Sequence, residues 1–435
     1  MRVLVVGGGG REHALCWKLR QSPLLTELYC APGNPGIARV ADLVPIAAEE
    51  VQRLADFATE MKIDLTVVGP ELPLTLGLVD ELTARGLKAF GPTLLAAELE
   101  GSKVFSKELM QRHGIPTAPF VVVHGAEQAR EVRGRFGWPV VIKADGLAAG
   151  KGVVIAADEA EYDAAVRDLF EDRRFGASGD RAIVEAFLDG EEVSFMALSD
   201  GERVLPLATA KDYKRIGDDD TGPNTGGMGS HSPAGVLPAE TAAEVLEKII
   251  HPTVAGMAAE GRRFVGVLYA GLILTKDGPR VLEFNARFGD PECQAILLRL
   301  EDDLLPVLAA GARGEFDVRR LSFRKEVSAC LVLASPGYPG RPVTGEPIRG
   351  LDHAAEVPGV EIFHAGTALT AGAIGETGEL VSAGGRVLSV CATDPDLAGA
   401  LRKAYVAAER VDWPGKVYRR DIGRRVVEKA LASGS

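Results

Sequence analysis

The chain has 435 residues, with 49 basic against 61 acidic side chains for a formal charge of −12, 46% hydrophobic and 25% charged residues. That composition excludes disordered and collagen-like chains, and the length suggests two to four domains with large cores. An acidic balance argues against a dedicated nucleic-acid binder, whose affinity comes from basic surface. Glycine, at 51 residues, lies well above the usual level of about 7%, so tight turns or close backbone approaches are expected.

The apolar start MRVLVV is too short for a signal peptide, and no run reaches the ~18 apolar residues of a membrane helix. A cytoplasmic protein is therefore expected. Its five cysteines are scattered with no C-x-x-C pair, and buried, inert thiols are expected.

Residues 2–6 read as a buried strand, 12–20 as a helix, 28–31 as a strand before the turn Pro32–Gly36, 49–61 as an amphipathic helix, and 64–68 and 88–90 as further strands. This alternation implies a parallel α/β sheet. A helix over 102–112 then leads into a small α+β unit. It comprises strand 120–123, helix 126–136, strand 138–144, a glycine loop, strand 153–156, helix 159–171 and strand 182–187. A polar loop over 211–232, a helix over 238–259, strands 265–275 and 280–284, and a helical stretch over 292–312 follow. From residue 325 the chain is again rich in strands.

Several stretches carry chemistry. Gly7-Gly8-Gly9-Gly10-Arg11-Glu12-His13 lies between a strand and a helix, where amides and the helix dipole can hold a phosphate. A dinucleotide fingerprint fails because the third glycine position falls on Glu12 or His13, and no acidic residue ends the second strand. Arg11 could bind a phosphate monoester; a glycine turn serving only helix–sheet packing is the other reading. Val141-Ile142-Lys143-Ala144-Asp145-Gly146 through Gly150-Lys151-Gly152 places one lysine at a strand end and another in a glycine hairpin, suited to covering polyphosphate. It is not a P-loop, since Gly152 follows Lys151; two solvated lysines on a plain hairpin are the alternative.

Glu185 to Phe195 joins two strands through an acidic turn that could hold adenosine or simply be solvated. Glu283 and Asn285 share a strand face, and hard oxygens there suit Mg²⁺ completed by phosphate and water; Arg287 could meet the same phosphates. The segment Lys211 to Gly229 is either a disordered surface loop or a cover over substrate.

Taken in order, GGGGREHAL at 7, APGNPG at 31, VVGPELPL at 67, FGPT at 90, LEGSKVFSK at 99, VIKADGLAAGKGV at 141, EAFLDGEEVSF at 185, DTGPNTGGMG at 220, LYAGL at 268, LEFNARFGDPE at 282, FHAGT at 363 and GGRVL at 384 span nearly the whole chain. They resemble the ATP-grasp superfamily, specifically its members that join glycine to 5-phosphoribosylamine in de novo purine synthesis. The resemblance implies an α/β and α+β multidomain protein. Its parts would be a Rossmann-like N-terminal domain at 1–101, an ATP-grasp domain at 102–322 with a mobile small subdomain over about 120–190, and a strand-rich C-terminal domain at 323–435.

The resemblance also implies roles. Lys103, Lys143, Gly146, Gly150, Lys151 and Gly152 would bind ATP phosphates, and Glu185, Ala186, Leu188 and Glu192 its adenosine. Glu283 and Asn285 would ligate Mg²⁺ or Mn²⁺; Tyr269-Ala270-Gly271-Leu272 adds no further carboxylate ligand. Gly9, Gly10, Arg11, Asn34 and Glu71 would face the ribose 5-phosphate. Asp212, Asn224, Thr225, Gly227 and Met228 would line the glycine and amine side, while Arg287, Asp290 and Lys143 would act in catalysis. Partners would be the two small substrates, with no nucleic acid and no membrane, and a monomer receiving the labile amine by transient handoff from the preceding enzyme. A relative using another acceptor is disfavoured by TGPNTGGMG and FGDPE, and an inactive nucleotide-binding module by the co-occurrence of Lys143, Glu283 and Asn285.

Overall fold

Residues Val3–Val6 are fully buried, as expected of a strand covered by helices on both faces. In the computed structural model, which describes residues 1–146, 152–174, 176–371 and 378–433, Arg2–Gly7 is the centre of a five-stranded parallel sheet. Glu27–Pro32 and Asp42–Leu43 lie on one side, Leu65–Val68 and Ala89–Phe90 on the other. The order reverses at the central strand, so its glycine turn opens at the topological switch point where such sheets bind ligands.

Four antiparallel strands, Val204–Pro206, Glu191–Asp200, Val265–Thr275 and Gly278–Asn285, form a second sheet. A third, Phe120–Val123, Ala182–Ala186, Val140–Ala144 and Val153–Ala156, encloses its own core around Ile142, Tyr162 and Val184. The polar segment expected as a loop instead supplies strands. Lys211–Asp212 pairs with Gly229–Ser232, which continues into a sheet with Val327–Ala334, Arg386–Asp394 and Val360–His364. Between them Arg215–Gly217 and Thr221–Asn224 form a hairpin.

Local chemistry sets the boundaries. Ser102 caps the helix Lys103–Arg112 by accepting from the Phe105 amide, and Asp158, Asp303 and Asp396 cap later helices in the same way. The expected helix 126–136 stops at Glu131, and the chain then turns through Gly134 and Gly137 at φ of +77° and +74°. The stretch 292–312 divides into Glu292–Arg299 and Leu304–Arg313, because Leu300 is extended and Asp303 starts a new helix. Both helices lie in one apolar cluster with Val5, Leu15, Leu198, Val267 and Phe363, which joins the first sheet, the second and the C-terminal sheet. No helix among the described residues is long and apolar enough to cross a membrane.

Two buried histidines close the contact between the N- and C-terminal sheets. The His364 amide donates to His13 Nδ1 at 2.8 Å, so that nitrogen is unprotonated. Burial lowers the pKa of His13 to about 3, helped by His364 and Arg39, and that of His364 to about 4, helped by Arg39. An unfolded histidine titrates near 6.5. As the pH falls from there to about 4, the unfolded chain takes up protons that the folded chain refuses, so stability falls by about 1.4 kcal/mol per pH unit per histidine. Urea unfolding at pH 7 and 5 should show a smaller acid loss for His13→Gln than for the parent; equal losses would contradict this coupling.

Candidate active site

Above the second sheet, the strand Gly278–Asn285 carries a bulge: Gly271 faces Glu283 while Leu272 faces Val281. The extra residue shifts the side-chain phase. Val281 and Phe284 therefore both enter the core, while Glu283 and Asn285 point the other way. The carbonyls at the bulge are also used, Val281 O accepting from Thr117 Oγ1 at 2.7 Å and Leu282 O from Lys143 Nζ at 2.9 Å.

Around this strand Lys107, Lys143, Lys214 and Arg287 are each paired with a carboxylate. Glu185 is 2% exposed and lies between Lys143 Nζ at 2.6 Å and Lys107 Nζ at 2.5 Å. Burial pushes its pKa up, but the two lysines outweigh that and hold it below the usual carboxylate range. Its side chain thus faces lysines in the interior, while Ala186 and Leu188 of the same connector are half-buried. Lys103 Nζ donates to Gly146 O at 2.9 Å, and burial lowers its pKa despite nearby Glu283. Asp145 fixes this corner, accepting from Ser102 Oγ, the amides of Val104 and Gly146, and Arg181 Nη2. Gly152 O receives the Ala144 amide; Gly150 and Lys151 lie outside the described residues.

Lys214 links Glu192 Oε2 at 3.3 Å to Glu283 Oε1 at 3.9 Å. Those contacts raise its pKa, Glu192 most, against burial. Burial pushes Glu283 up, yet Lys214, Lys143, Lys103 and Arg287 hold its carboxyl below its ordinary value, so it is anionic at neutral pH. An ionised carboxylate beside an amide oxygen on one strand face is a hard-oxygen donor pair that fits a divalent cation. Among the described residues no three His, Cys, Asp or Glu side chains gather as a metal cluster.

Arg287 is held between Glu71 Oε2 at 3.3 Å and Glu100 Oε1 at 3.2 Å. Glu100 also accepts the Ala286 amide at 2.7 Å, and burial raises its pKa against the pull of Arg287. The structure therefore places Glu71 with Arg287 at the mouth of the first sheet.

At the glycine turn, Arg11 is buried and pairs with Glu12 Oε1 at 2.6 Å and Phe288 O at 3.1 Å, while the Gly9 amide donates to Glu12 Oε2 at 2.6 Å. The glycines answer to crowding: a Cβ on Gly8 would meet Gly33 O at 2.7 Å, and one on Gly10 would meet Gln294 Nε2 at 2.7 Å. Asn34 is likewise occupied, donating to Gly8 O and His364 O and accepting the amides of Gly36 and Ile37.

Asp290 accepts from Arg386 Nη2 at 2.8 Å and Gln294 Nε2 at 2.6 Å, and Arg386 chiefly, with Arg11, keeps its pKa low against burial. A Cβ on Gly9 would stand 3.8 Å from Asp290 Oδ2, so the turn and Asp290 line one recess. Arg386 Nη1 also binds the carbonyls of Gly226 and Asp290 at 2.5 Å. Gly227, at φ of +109°, leaves no room for a Cβ, which would stand 2.8 Å from Asp212 Oδ1. Burial and Glu292 push the Asp212 pKa well up. Thr225 closes its own loop through Lys214 O and the Gly227 amide. Asn224 lies in the hairpin opposite Arg215, and the Met228 side chain is fully buried.

Comparison with known proteins fits this assembly. Residues 1–100 match the phosphoribosylglycinamide synthetase N domain, 101–293 the phosphoribosylglycinamide synthetase ATP-grasp (A) domain, and 328–425 the phosphoribosylglycinamide synthetase C domain. The chain belongs to the phosphoribosylglycinamide synthetase family. It is 50% identical over 433 residues to the phosphoribosylamine–glycine ligase of Brucella melitensis, covering 100% of both chains, and 49% identical to that of Escherichia coli K12, covering 99% of both. The crystal structure of the Thermotoga maritima phosphoribosylamine–glycine ligase superposes with a TM-score of 0.84 at 35% identity, covering 97% of this chain and 100% of that one. A biotin carboxylase domain from Hydrogenobacter thermophilus, with MgADP bound, shares the fold with a TM-score of 0.72 at 17% identity over 95% and 91%.

For this family member, sequence reasoning missed Lys107, Lys214, Glu100 and Arg386. Lys107 and Glu100 lie inside LEGSKVFSK, so the motif marked them without a role. Arg386 lies in GGRVL, 96 residues from Asp290, and nothing local signals that pairing. Replacing it removes the cation from a partly buried carboxylate, so Arg386→Met should lower stability by about 1–3 kcal/mol, with much of the loss restored in Arg386→Met/Asp290→Asn. An unchanged urea midpoint in the single variant would contradict the assignment.

Proposed function

We propose that the chain catalyses ATP-dependent ligation of glycine to 5-phosphoribosylamine, giving glycinamide ribonucleotide, ADP and phosphate in purine biosynthesis. The observation that carries this reading is the gathering of Lys103, Lys143, Glu283 and Arg287 around one strand, their charges acting on one another, in a chain matched end to end by phosphoribosylamine–glycine ligases.

A carboxylate cannot expel oxide. Glycine oxygen therefore attacks the γ-phosphorus, ADP leaves, and the glycyl phosphate so formed is attacked at its acyl carbon by the amine, releasing phosphate. Such chemistry needs position and charge more than a protein nucleophile. Lys103 and Lys143 would hold phosphate oxygens, with Gly146 and the loop to Gly152 above them, and Ala186 and Leu188 the adenine. Glu283 and Asn285 would hold Mg²⁺ or Mn²⁺, which when bound neutralises charge developing on the transferred phosphoryl group. Arg287, fixed by Glu71 and Glu100, presents positive charge beside them. Asp290, ionised and oriented by Arg386 and Gln294, is positioned to hold an ammonium group of glycine or the incoming amine.

The glycine turn at Gly9, Gly10 and Arg11 is where the ribose 5-phosphate would dock, through amides and the helix N-terminus. The division at 101 and 322 fits this assignment of tasks. A labile amine substrate also suits handoff from the enzyme that makes it.

ADP release should require ATP, Mg²⁺, glycine and freshly made phosphoribosylamine together; equal release with alanine or bicarbonate in place of glycine would overturn the reading. Glu283→Ala should abolish turnover while leaving the unfolding midpoint in place. Near-normal rates at saturating Mg²⁺ would remove Glu283 from the metal site.

A further inference from the structure

Lys107 is a charge that the mechanism above does not use. It is 2% exposed, on the inner face of the helix Lys103–Arg112. Its Nζ lies 2.5 Å from Glu185 Oε2 and donates to Thr117 Oγ1 at 2.5 Å. Thr117 passes its own hydrogen to Val281 O, while Lys143, on the other oxygen of Glu185, donates to Leu282 O. Two lysines thus share one carboxylate, and both are tied to consecutive carbonyls at the bulge that presents Glu283.

We propose that Lys107 is a positioning residue for the nucleotide, keeping Glu185 paired so that Lys143 can turn to a phosphate oxygen. The proposal rests on the reading of the cleft as an ATP site. With both lysines present the trio carries a net positive charge, and if Lys143 moves to phosphate a complete Lys107–Glu185 ion pair stays behind. Without Lys107, Glu185 and Lys143 form a closed neutral pair. A phosphate could then recruit Lys143 only by leaving a buried carboxylate with no cation, which is strongly unfavourable.

Other groups that face Lys107 agree with a single working cation: Phe120 lies 5.8 Å away at its ring centre, and Lys143 adds repulsion. Burial lowers its pKa to about 8 against the pull of Glu185, so the charge is present at neutral pH and is lost in mild alkali.

The test is calorimetric binding of ADP with Mg²⁺ to the full chain and to Lys107→Met, Glu185→Gln and the double variant. Lys107→Met should weaken ADP binding by about tenfold or more, equivalent to ~1.4 kcal/mol. In the Glu185→Gln background the same change should have no effect, since the amide makes no ionic claim on Lys143. The parent's affinity should also fall above pH 8, a step missing from Lys107→Met. A Lys107→Met affinity equal to the parent's, or a penalty that persists beside Glu185→Gln, overturns the proposal. Should Lys107→Met not fold, comparison of Glu185→Gln with the double variant decides alone, equality supporting the proposal and a difference overturning it. A parent that binds no ADP overturns the ATP reading instead.

Discussion

Storing positive charge on side chains largely withdrawn from water is the constraint on which the rest depends. Arginine and lysine are costly to bury unless paired, and here each pairing reaches across elements: Lys107 and Lys143 to Glu185, Arg287 to Glu71 and Glu100, Lys214 to Glu192 and Glu283, Arg386 to Asp290. The carboxylates that neutralise the cations also link the elements that surround them. Arg287 alone ties a residue after Leu65–Val68, a helix of the first domain and the strand of Glu283. A polyanionic ligand competes with these carboxylates for the cations, so the pairs set both the affinity of the cleft and its geometry.

Backbone geometry supplies the second requirement. The bulge at Val281 and Leu282 turns two carbonyls toward Thr117 and Lys143 and moves Glu283 and Asn285 out of the core. A regular strand would put Glu283 on the same face as Val281, against the apolar cluster. The glycine turn follows similar logic: Gly7 at φ of +126° and Gly8 against the Gly33 carbonyl allow Glu12 to fold back on the turn and take both the Gly9 amide and Arg11. Packing demand and anion binding are compatible readings of these glycines, because an amide exposed at a helix start needs a close, unbranched backbone whichever purpose selects it.

The strands and helices were largely legible because their causes are local. The apolar run of Val3–Val6, the capping Ser102 and the two-residue phase of Glu283 and Asn285 all announce themselves within a few residues. The division of 292–312 and the strands inside 211–232 were not, since Leu300 and Gly229–Ser232 take their conformation from partners at Phe323 and Val327–Ala334. The same distinction governs the site. Residues in glycine-rich or acidic motifs stand out as ligands, but whether a carboxylate faces solvent or a lysine is decided by chain segments far away. Glu185 stands in an acidic connector, and only the fold shows its carboxylate shared by Lys107 and Lys143. Asn34 lies in a glycine–proline turn, and nothing local shows that both its side-chain polar atoms are engaged, one of them with a carbonyl 330 residues along the chain.

The unit formed by residues 120–186 has a core of its own, around Ile142, Tyr162 and Val184, and among the described residues no apolar cluster joins it to the second sheet. Among the described residues its side-chain links to the rest include Lys103 to Gly146, Asp145 to Ser102, Lys143 to Leu282 and Glu185 to Lys107. Polar links exchange readily for contacts with a ligand, whereas a shared apolar core would resist any adjustment of angle. The chain enters the unit through 113–119 and leaves through Phe187–Gly190, where Gly190 passes so near Leu274 that a Cβ would stand 2.3 Å from its carbonyl oxygen. A larger residue there would push the connector off the strand. The exit is thus pinned by backbone contact, while the unit's side-chain links to the second sheet and the helix Lys103–Arg112 are hydrogen bonds and ion pairs.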